Sequence, residues 1–285
     1  LKIQDGCDNF CSYCLIPYAR GRNRSRNKED VIKEANEFVK NGYQEIILTG
    51  IDTASYNDYG YTFNNLLNDL CKIDGLKRIR ISSIEASQID DEFINIIKNN
   101  KQIVHHLHIP LQSGSDRILK KMNRKYNCEF YYSIINKLKT LIPDISITTD
   151  VIVGFPTETD EDFNNMYQFI NKCKFSMLHV FPYSIRTGTA AAKFPNQVDA
   201  RIKKLRSKEL LNLNNILANN YINNYLDKEV EVLFETYDVN TNTLKGHAEN
   251  YFVVEAKGSI EDINEIRKVK ITKPGYPNSF GVIIK

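Results

Sequence analysis

Residues 6–14 read Gly6-Cys7-Asp8-Asn9-Phe10-Cys11-Ser12-Tyr13-Cys14 and place three cysteines at the spacing Cys-x-x-x-Cys-x-x-Cys. A short candidate strand, residues 2–5, precedes this segment, so we predict that the cysteines lie in a loop at the strand's end. Three thiolates in so short a loop can face one metal centre. Cys7, Cys11 and Cys14 are therefore the predicted metal ligands and the predicted centre of catalysis.

The choice of metal follows from the number of ligands. Structural zinc is usually held by four Cys or His ligands, and no fourth one lies at a suitable short distance in the sequence. A [4Fe–4S] cluster held by three cysteines instead leaves one iron free to bind a substrate or cofactor. An iron–sulphur cluster is the favoured interpretation, and zinc is the alternative.

Outward from this loop, apolar β-rich runs alternate with helix-like segments, a pattern typical of an α/β fold with a parallel sheet. The predicted strands cover residues 2–5, 45–50, 78–83, 104–110, 145–153 and 177–184. The predicted helices cover residues 28–41, 63–72, 90–100, 116–122, 128–141, 161–173 and, after the last strand, 199–225. The sequence thus predicts six βα repeats.

Beyond the long last helix the alternation of strands and helices gives way to short strands only. Residues 230–235, 243–249, 251–255, 265–272 and 280–284 are predicted to be short strands separated by turns. This pattern favours a small β-barrel of the oligonucleotide-binding kind, with a β-sandwich as the alternative. We place the domain boundary at Leu226, which gives a domain of residues 1–226 and a second of residues 227–285.

Composition and charge restrict the class of protein. The chain is 42% hydrophobic and 26% charged, as in ordinary globular proteins. It has no long apolar run and no secretory signal, so we expect a soluble cytoplasmic protein without a membrane partner. The net charge of +3 does not by itself indicate a polyanionic partner. Basic residues are concentrated at positions 20–28 and 201–208, which suits either phosphate contact or an ordinary solvated surface.

The cysteine motif resembles that of the radical S-adenosylmethionine enzymes, which share this spacing and an aromatic residue before the third cysteine, here Tyr13. Residues 7–26, CDNFCSYCLIPYARGRNRSR, are similar to the methylthiotransferase branch, and within it to the subgroup that modifies threonylcarbamoyladenosine in tRNA. Further similar stretches are TGI at 49–51, SSIE at 82–85, HIPLQSGS at 108–115, DVIVGFPTET at 150–159 and FPYSIRTGT at 181–189. The C-terminal segment resembles the TRAM RNA-binding module of these enzymes.

The resemblance implies a fold, a chemistry and partners. The fold would be a partial (β/α)6 barrel followed by a small all-β TRAM domain. The open iron would chelate S-adenosylmethionine and reduce it to a 5′-deoxyadenosyl radical. The product would be a methylthio group on C2 of N6-threonylcarbamoyladenosine at position 37 of tRNA, with the anticodon stem-loop as partner. An electron donor such as flavodoxin or ferredoxin is also implied.

The family-like stretches fall at the C-terminal ends of predicted strands, where barrels of this type place their functional groups. The glycine at the end of the second strand would let a methionine ammonium come close, and the carboxylate after the third would accept from it, unless it forms an exposed salt bridge. The residues predicted to bind the cofactor are Tyr13, Thr49, Gly50, Ser83, Glu85, Gln112, Ser113, Val153, Gly154 and Tyr183.

Other polar residues have a structural interpretation. His105, His106, His108 and His179 are interpreted as hydrogen-bonded strand histidines rather than ligands. Asp150 and the acidic run at 158–161 are candidate general bases, but acidic residues before a helix are commonly N-terminal caps. Arg20 and Arg26 are candidates for contact with anionic groups.

Enzymes of this branch normally carry an N-terminal domain whose three further cysteines hold a second [4Fe–4S] cluster, and this chain does not include one. The chain begins with Leu1 rather than Met, so we expect a fragment of a longer enzyme. Cys71, Cys128 and Cys173 are widely separated and are interpreted as buried structural thiols.

Two alternative functions stay open at the level of sequence. The same chemistry could act on isopentenyladenosine in tRNA or on an aspartate of a ribosomal protein. A different class of function is an RNA-binding protein with a structural cluster, in which Tyr251 and Phe252 stack on bases beside Arg267, Lys268, Lys270 and Lys273. The sulphur donor and the oligomeric state are not indicated.

Overall fold

The computed structural model describes residues 1–284, which form eight α-helices and fourteen strands. The helices are α1 Ile16–Ala19, α2 Lys28–Lys40, α3 Phe63–Leu70, α4 Asp91–Asn99, α5 Asp116–Lys121, α6 Cys128–Leu141, α7 Asp160–Cys173 and α8 Ala200–Ile222. The strands are β1 Gln4–Asp5, β2 Arg24–Ser25, β3 Glu45–Leu48, β4 Asn57–Asp58, β5 Tyr61–Thr62, β6 Arg78–Ile81, β7 His106–His108, β8 Ser146–Val153, β9 Met177–Pro182, β10 Glu229–Asp238, β11 Thr243–Ala248, β12 Val253–Lys257, β13 Ile266–Lys273 and β14 Asn278–Ile283.

Six strands of the first part run parallel in the order of the sequence: β1, β3, β6, β7, β8 and β9. Ladders join β3 to β6 and β7 to β8 and β9. Single parallel bridges, Lys2 to Thr49 and Ile79 to Ile103, connect the remaining neighbours. Within the described residues β9 does not pair with β1, so the sheet is open at that edge. All six predicted strands are present, and each is shorter than predicted, β7 by the largest margin.

All helices except α1 begin at a residue whose side chain caps the first turn. Asn27 accepts from the N–H groups of Glu29 and Asp30 at the start of α2. In α3 the residues at helical spacing are all buried: Phe63, Leu66, Leu67 and Leu70. No helix within residues 1–284 combines the length and the apolar character of a membrane span.

The last five strands close into a barrel in the order β10-β11-β12-β14-β13, with only the β12–β14 pair parallel. Alternate residues of β10, namely Val230, Val232 and Phe234, point into a separate apolar core. Because the pairing is closed, the β-sandwich alternative is wrong. The end of α8 also belongs to this second core, since Ile222 packs there.

The barrel contacts the parallel sheet through Tyr251. The Tyr251 ring stacks on His106, at a centroid distance of 4.6 Å, and on His247, at 4.8 Å. Arg80 lies over the same ring and donates to the carbonyl oxygens of Ala248 and Glu249. Phe252 is buried in the barrel core. Phe252 therefore cannot stack on an RNA base. The Tyr251 ring is 36% exposed and already stacks on two histidines, and its contact with RNA stays a prediction.

Candidate functional site

The cysteine loop is fixed by backbone contacts on both sides. Gly6 has a φ of +75°, and a Cβ at this position would lie 2.0 Å from the carbonyl oxygen of Arg22. The N–H of Cys7 donates to the carbonyl of Gly21 at 3.2 Å. On the other side, Ser12 donates from its N–H to the carbonyl of Met122 at 3.0 Å. The loop is thus held between the Gly21–Arg22 turn and the end of α5.

Each cysteine sulphur receives one hydrogen-bond donor. The N–H of Asn9 points at Cys7 Sγ and the N–H of Ile16 at Cys14 Sγ, both at 3.4 Å. The Nη1 of Arg124 donates to Cys11 Sγ at 3.4 Å. Donors of this kind stabilise ligating thiolates. All three cysteines are free and half-buried.

The donor set fits an iron–sulphur cluster better than a single zinc ion. Tetrahedral zinc, with Zn–S bonds of about 2.3 Å, holds its sulphurs about 3.8 Å apart. Within residues 1–284 the cysteine sulphurs do not form a group within 4.8 Å of one another. In a cluster each thiolate binds a different iron, so the sulphurs lie farther apart. Burial raises the pKa of the Cys7 and Cys14 thiols, and binding a metal would deprotonate them.

Asp52 lies beside the first cysteine, and the sequence interpretation missed it. Its Oδ2 is 4.0 Å from Cys7 Sγ and accepts from Asn9 Nδ2 at 3.3 Å, while its Oδ1 accepts from Gln88 Nε2 at 2.7 Å. Burial raises the pKa of this carboxyl group. Its position directly after the family-like TGI stretch, in the loop that follows β3, was the available signal.

Gln4 explains why residue 50 is a glycine. The Gln4 side chain is 1% exposed, and its Oε1 accepts from the N–H groups of Ile51 and Asp52, each at 2.9 Å. A Cβ on Gly50 would lie 2.8 Å from that oxygen. Thr49 continues β3 through backbone bonds to Leu1 and Ile3. The bare backbone of Gly50 thus packs on Gln4, and contact of Thr49 and Gly50 with a cofactor stays a prediction.

Glu85 pairs with Arg124, a partner that the sequence did not indicate. Its carboxylate forms an ion pair with Arg124, and the side chains are 21% and 5% exposed, respectively. Arg124 also donates from Nε to the hydroxyl of Tyr126 at 3.1 Å, and that hydroxyl donates to the carbonyl of Pro110 at 2.7 Å. Burial raises the pKa of Glu85. The salt bridge that was the alternative to a cofactor contact is thus present, but it is largely buried beside Cys11 and not exposed.

Three aromatic rings pack together beside the cysteine loop. Tyr13 meets Phe155 edge-on at 6.3 Å, and Phe155 meets Tyr183 edge-on at 5.3 Å. Val153 is fully buried at the end of β8. Gly154 has a φ of +68°, and its N–H donates to Glu158 Oε1 at 2.8 Å. The structure therefore gathers Tyr13 and Tyr183 in one apolar cluster with Phe155, under the loop.

The remaining predicted cofactor residues lie at strand ends. Ser83 forms a parallel bridge with His108. Gln112 has a φ of +67°, and its N–H donates to the carbonyl of Asp150 at 2.8 Å. Ser113 is buried and its hydroxyl accepts from the N–H of Ser115 at 3.3 Å. Their contact with a cofactor stays a prediction.

Several of the candidate bases, and Arg26, have partners within the fold. Glu158 and Asp160 both pair with Arg206 at 2.6 Å. Arg26 pairs with Glu34 at 2.6 Å. Cys173 is buried, and burial raises the pKa of its thiol to about 12. These groups are thus engaged within the fold.

Comparison with known proteins identifies the family to which the chain is similar. Residues 1–170 match the family model described as the radical SAM superfamily. Over 291 aligned residues the chain is 49% identical to "Threonylcarbamoyladenosine tRNA methylthiotransferase MtaB" of Bacillus subtilis, an alignment that covers 100% of this chain and 64% of that protein. It is 41% identical to "tRNA-2-methylthio-N(6)-dimethylallyladenosine synthase" of Alkaliphilus oremlandii. That alignment covers 96% of this chain and 59% of that protein. The chain thus spans about three fifths of the length of these relatives.

Solved structures support the fold alone. The radical S-adenosylmethionine methyltransferase TsrM of Kitasatospora setae matches with a TM-score of 0.57 at 17% identity, covering 67% of this chain and 38% of that one. Coproporphyrinogen III oxidase of Escherichia coli, titled a radical SAM enzyme, matches with a TM-score of 0.54 at 15% identity, covering 76% of this chain and 52% of that one.

Proposed function

The chain belongs to the radical SAM superfamily, and from this membership we propose that it binds a [4Fe–4S] cluster through Cys7, Cys11 and Cys14, together with S-adenosylmethionine. The observation that carries the proposal is the loop itself, with three half-buried cysteines that each face a hydrogen-bond donor and are spread too widely for one zinc ion. When bound, the cluster supplies the electron that cleaves S-adenosylmethionine to a 5′-deoxyadenosyl radical.

The residues around the loop would orient and shield these groups. The Arg124 guanidinium lies against Cys11 and would offset the negative charge of a ligating thiolate. Glu85 and Tyr126 hold that guanidinium in place. The cluster of Tyr13, Phe155 and Tyr183 closes the apolar side of the loop and would exclude water from it. The cofactor would lie over the strand ends at Thr49, Gly50, Ser83, Gln112, Ser113, Val153 and Gly154.

The substrate that we propose is N6-threonylcarbamoyladenosine at position 37 of tRNA, which would receive a methylthio group on C2. The 49% identity to the Bacillus subtilis threonylcarbamoyladenosine tRNA methylthiotransferase, along the whole of this chain, supports this choice. The 41% identity to a tRNA-2-methylthio-N(6)-dimethylallyladenosine synthase supports dimethylallyladenosine as the second candidate substrate. A second [4Fe–4S] cluster would belong to a domain outside this chain.

The C-terminal barrel is proposed to be a TRAM-like domain of residues 227–285 that binds the anticodon stem-loop. Three lysines on the outer side of β13, Lys268, Lys270 and Lys273, are exposed, and Phe280 beside them on β14 is 43% exposed. Register places Lys270 opposite Val282 and Lys273 opposite Phe280. Cations next to an exposed ring suit phosphate contact and base stacking. A flavodoxin or ferredoxin as electron donor, and a cytoplasmic location, complete the proposal.

The substrate is tested in cells that lack the full-length gene. Mass spectrometry of tRNA nucleosides should show loss of 2-methylthio-N6-threonylcarbamoyladenosine and its return with the wild-type gene. A gene with Cys11→Ala should not restore it, whereas the matched Cys71→Ala gene should, because Cys71 is the C-cap residue of α3 and does not belong to the cysteine loop. An unchanged pool of this nucleoside, with loss of the dimethylallyl product instead, would select the second candidate.

A further inference from the structure

A second cluster of metal-type ligands lies on the parallel sheet, away from the cysteine loop. His108 on β7, Asp150 on β8 and His179 on β9 come from three adjacent strands. One ligand atom from each lies within 4.8 Å of the other two, and no other such group of ligands occurs in residues 1–284. His108 Nε2 is 3.3 Å from Asp150 Oδ1, and the register places Asp150 directly beside His179.

A hydroxyl beneath the cluster fixes the orientation of the first imidazole. Thr148 Oγ1 lies 2.9 Å from His108 Nδ1 and 3.1 Å from His106 Nε2. The Thr148 hydroxyl can accept a hydrogen bond from one imidazole and donate one to the other. His108 is therefore tied through Nδ1, and its Nε2 is aimed at Asp150.

We propose that His108, Asp150 and His179 form a binding site for a divalent transition-metal ion that is separate from the cysteine cluster. Two imidazoles and one carboxylate are a ligand set for zinc, cobalt and ferrous iron, and three protein ligands leave coordination positions open. The Thr148 contact is the kind of outer hydrogen bond that orients a ligating histidine. The proposal does not depend on the proposed function.

The surroundings of the site are consistent with entry of an ion. The side chains of His108 and Asp150 are 17% and 29% exposed, so the site is reachable from solvent. A cavity of about 50 Å³ beside Thr148 is also lined by Asn250 and Tyr251 of the barrel.

The test uses cobalt(II) and the whole chain with Cys7, Cys11 and Cys14 replaced by serine. One cobalt per chain should bind, with visible d–d bands and without the charge-transfer band of thiolate ligands. His108→Ala, His179→Ala and the nearly isosteric Asp150→Asn should each weaken binding by about tenfold or more, and Thr148→Val by about tenfold. His105→Ala is the matched control, since His105 pairs with Asp144 in a different part of the sheet, and it should leave the affinity unchanged.

A second measurement covers the case in which the serine variant does not fold. Manganese(II) prefers oxygen and nitrogen ligands to thiolates, so its electron paramagnetic resonance signal can follow binding to the chain with all cysteines intact. Loss of the free-ion signal at one equivalent, abolished by Asp150→Asn, would support the site. No stoichiometric binding of either ion, or binding that survives the His108→Ala/His179→Ala double substitution, would overturn the proposal.

Discussion

Arg124 donates a hydrogen bond from Nη1 to Cys11 Sγ at 3.4 Å, although 113 residues separate them in the chain. The same guanidinium is buried and forms an ion pair with Glu85. A cation next to a cysteine favours the thiolate that metals bind. The cysteine loop is therefore completed by a residue from the segment that follows α5, and the loop and the sheet depend on each other through this contact.

Replacing Arg124 by Gln should strongly destabilise the chain. The substitution leaves the buried Glu85 carboxylate without its partner, and breaking a buried pair in this way costs about 3–5 kcal/mol. Urea unfolding measures the loss. The exposed pair between Arg22 and Asp8 gives the matched control, because Arg22→Gln should cost less than about 1 kcal/mol. The Glu85→Gln/Arg124→Gln double variant should recover part of the stability; equal losses for Arg22→Gln and Arg124→Gln would contradict this view.

Replacing Gly6 by Ala should remove metal binding by the loop. The new Cβ would lie 2.0 Å from the Arg22 carbonyl oxygen, so the backbone on one side must move away from Cys7. Gly60 also has a positive φ, of +94°, but nothing lies within 4 Å of a Cβ there. Gly60→Ala should therefore cost only about 1–2 kcal/mol of backbone strain and keep its iron. Iron content after anaerobic reconstitution is the readout, and full iron loading of Gly6→Ala would show that the loop tolerates the shift.

Replacing Asp162 by Asn should remove an acid-sensitive part of the stability. Burial alone would raise the pKa of Asp162, but the ion pair with Arg117 and the hydrogen bonds from Thr159 and Ser115 hold it well below its usual value. A lowered native pKa stabilises the fold above the unfolded value of about 3.9, and this contribution is lost as the pH falls through the native pKa.

The wild-type advantage over Asp162→Asn should therefore be about 2 kcal/mol at pH 7 and shrink below about pH 4. Urea unfolding at several pH values from 7 downward measures it. Asp74→Asn, at an exposed position, should stay within about 0.5 kcal/mol of wild type. An advantage for Asp162 that grows on acidification would have the wrong sign and would exclude this assignment.

Replacing Tyr251 by Ala should loosen the contact between the C-terminal barrel and the parallel sheet. The ring stacks on both His106 and His247, and its loss removes both contacts. We expect faster amide exchange in β7 and β11 and a loss of about 2–4 kcal/mol. Phe280→Ala, at an exposed ring on the same barrel, should leave exchange in these strands unchanged. Equal exchange in the Tyr251→Ala and wild-type chains would show that the stack is not needed.

The sequence predicted what is encoded locally. The short isoleucine-containing stretches Glu45–Leu48, which reads EIIL, and Arg78–Ile81, which reads RIRI, identified two of the strands, because β-branched residues are enriched in strands. The cysteine loop was also predictable, since its three ligands lie within eight residues. Likewise, the start of α6 at Cys128 was predicted correctly, where Asn127 caps the helix.

The rest depends on contacts between distant segments. Arg124 and Asp52 reach the cysteines from loops whose paths no local pattern specifies. Tyr251 was predicted to stack on a base because an aromatic residue beside cations is typical of such a contact, but the chain folds back and places it against His106. Gly50 was predicted to admit a ligand, and the structure shows Gln4 packed against it. In each case the residue type indicated a contact, but the sequence did not indicate which residue would be the partner.

Anaerobic reconstitution of the chain with iron and sulphide is the most direct test of the central claim, that Cys7, Cys11 and Cys14 hold a catalytic cluster. We expect about four irons per chain, an electron paramagnetic resonance signal that S-adenosylmethionine perturbs, and 5′-deoxyadenosine once a reductant is added. Cys11→Ala should lose both the cluster and the product, while Cys71→Ala keeps them. Zinc or no metal in the loop of the wild-type chain, or 5′-deoxyadenosine formed by Cys11→Ala, would contradict the claim.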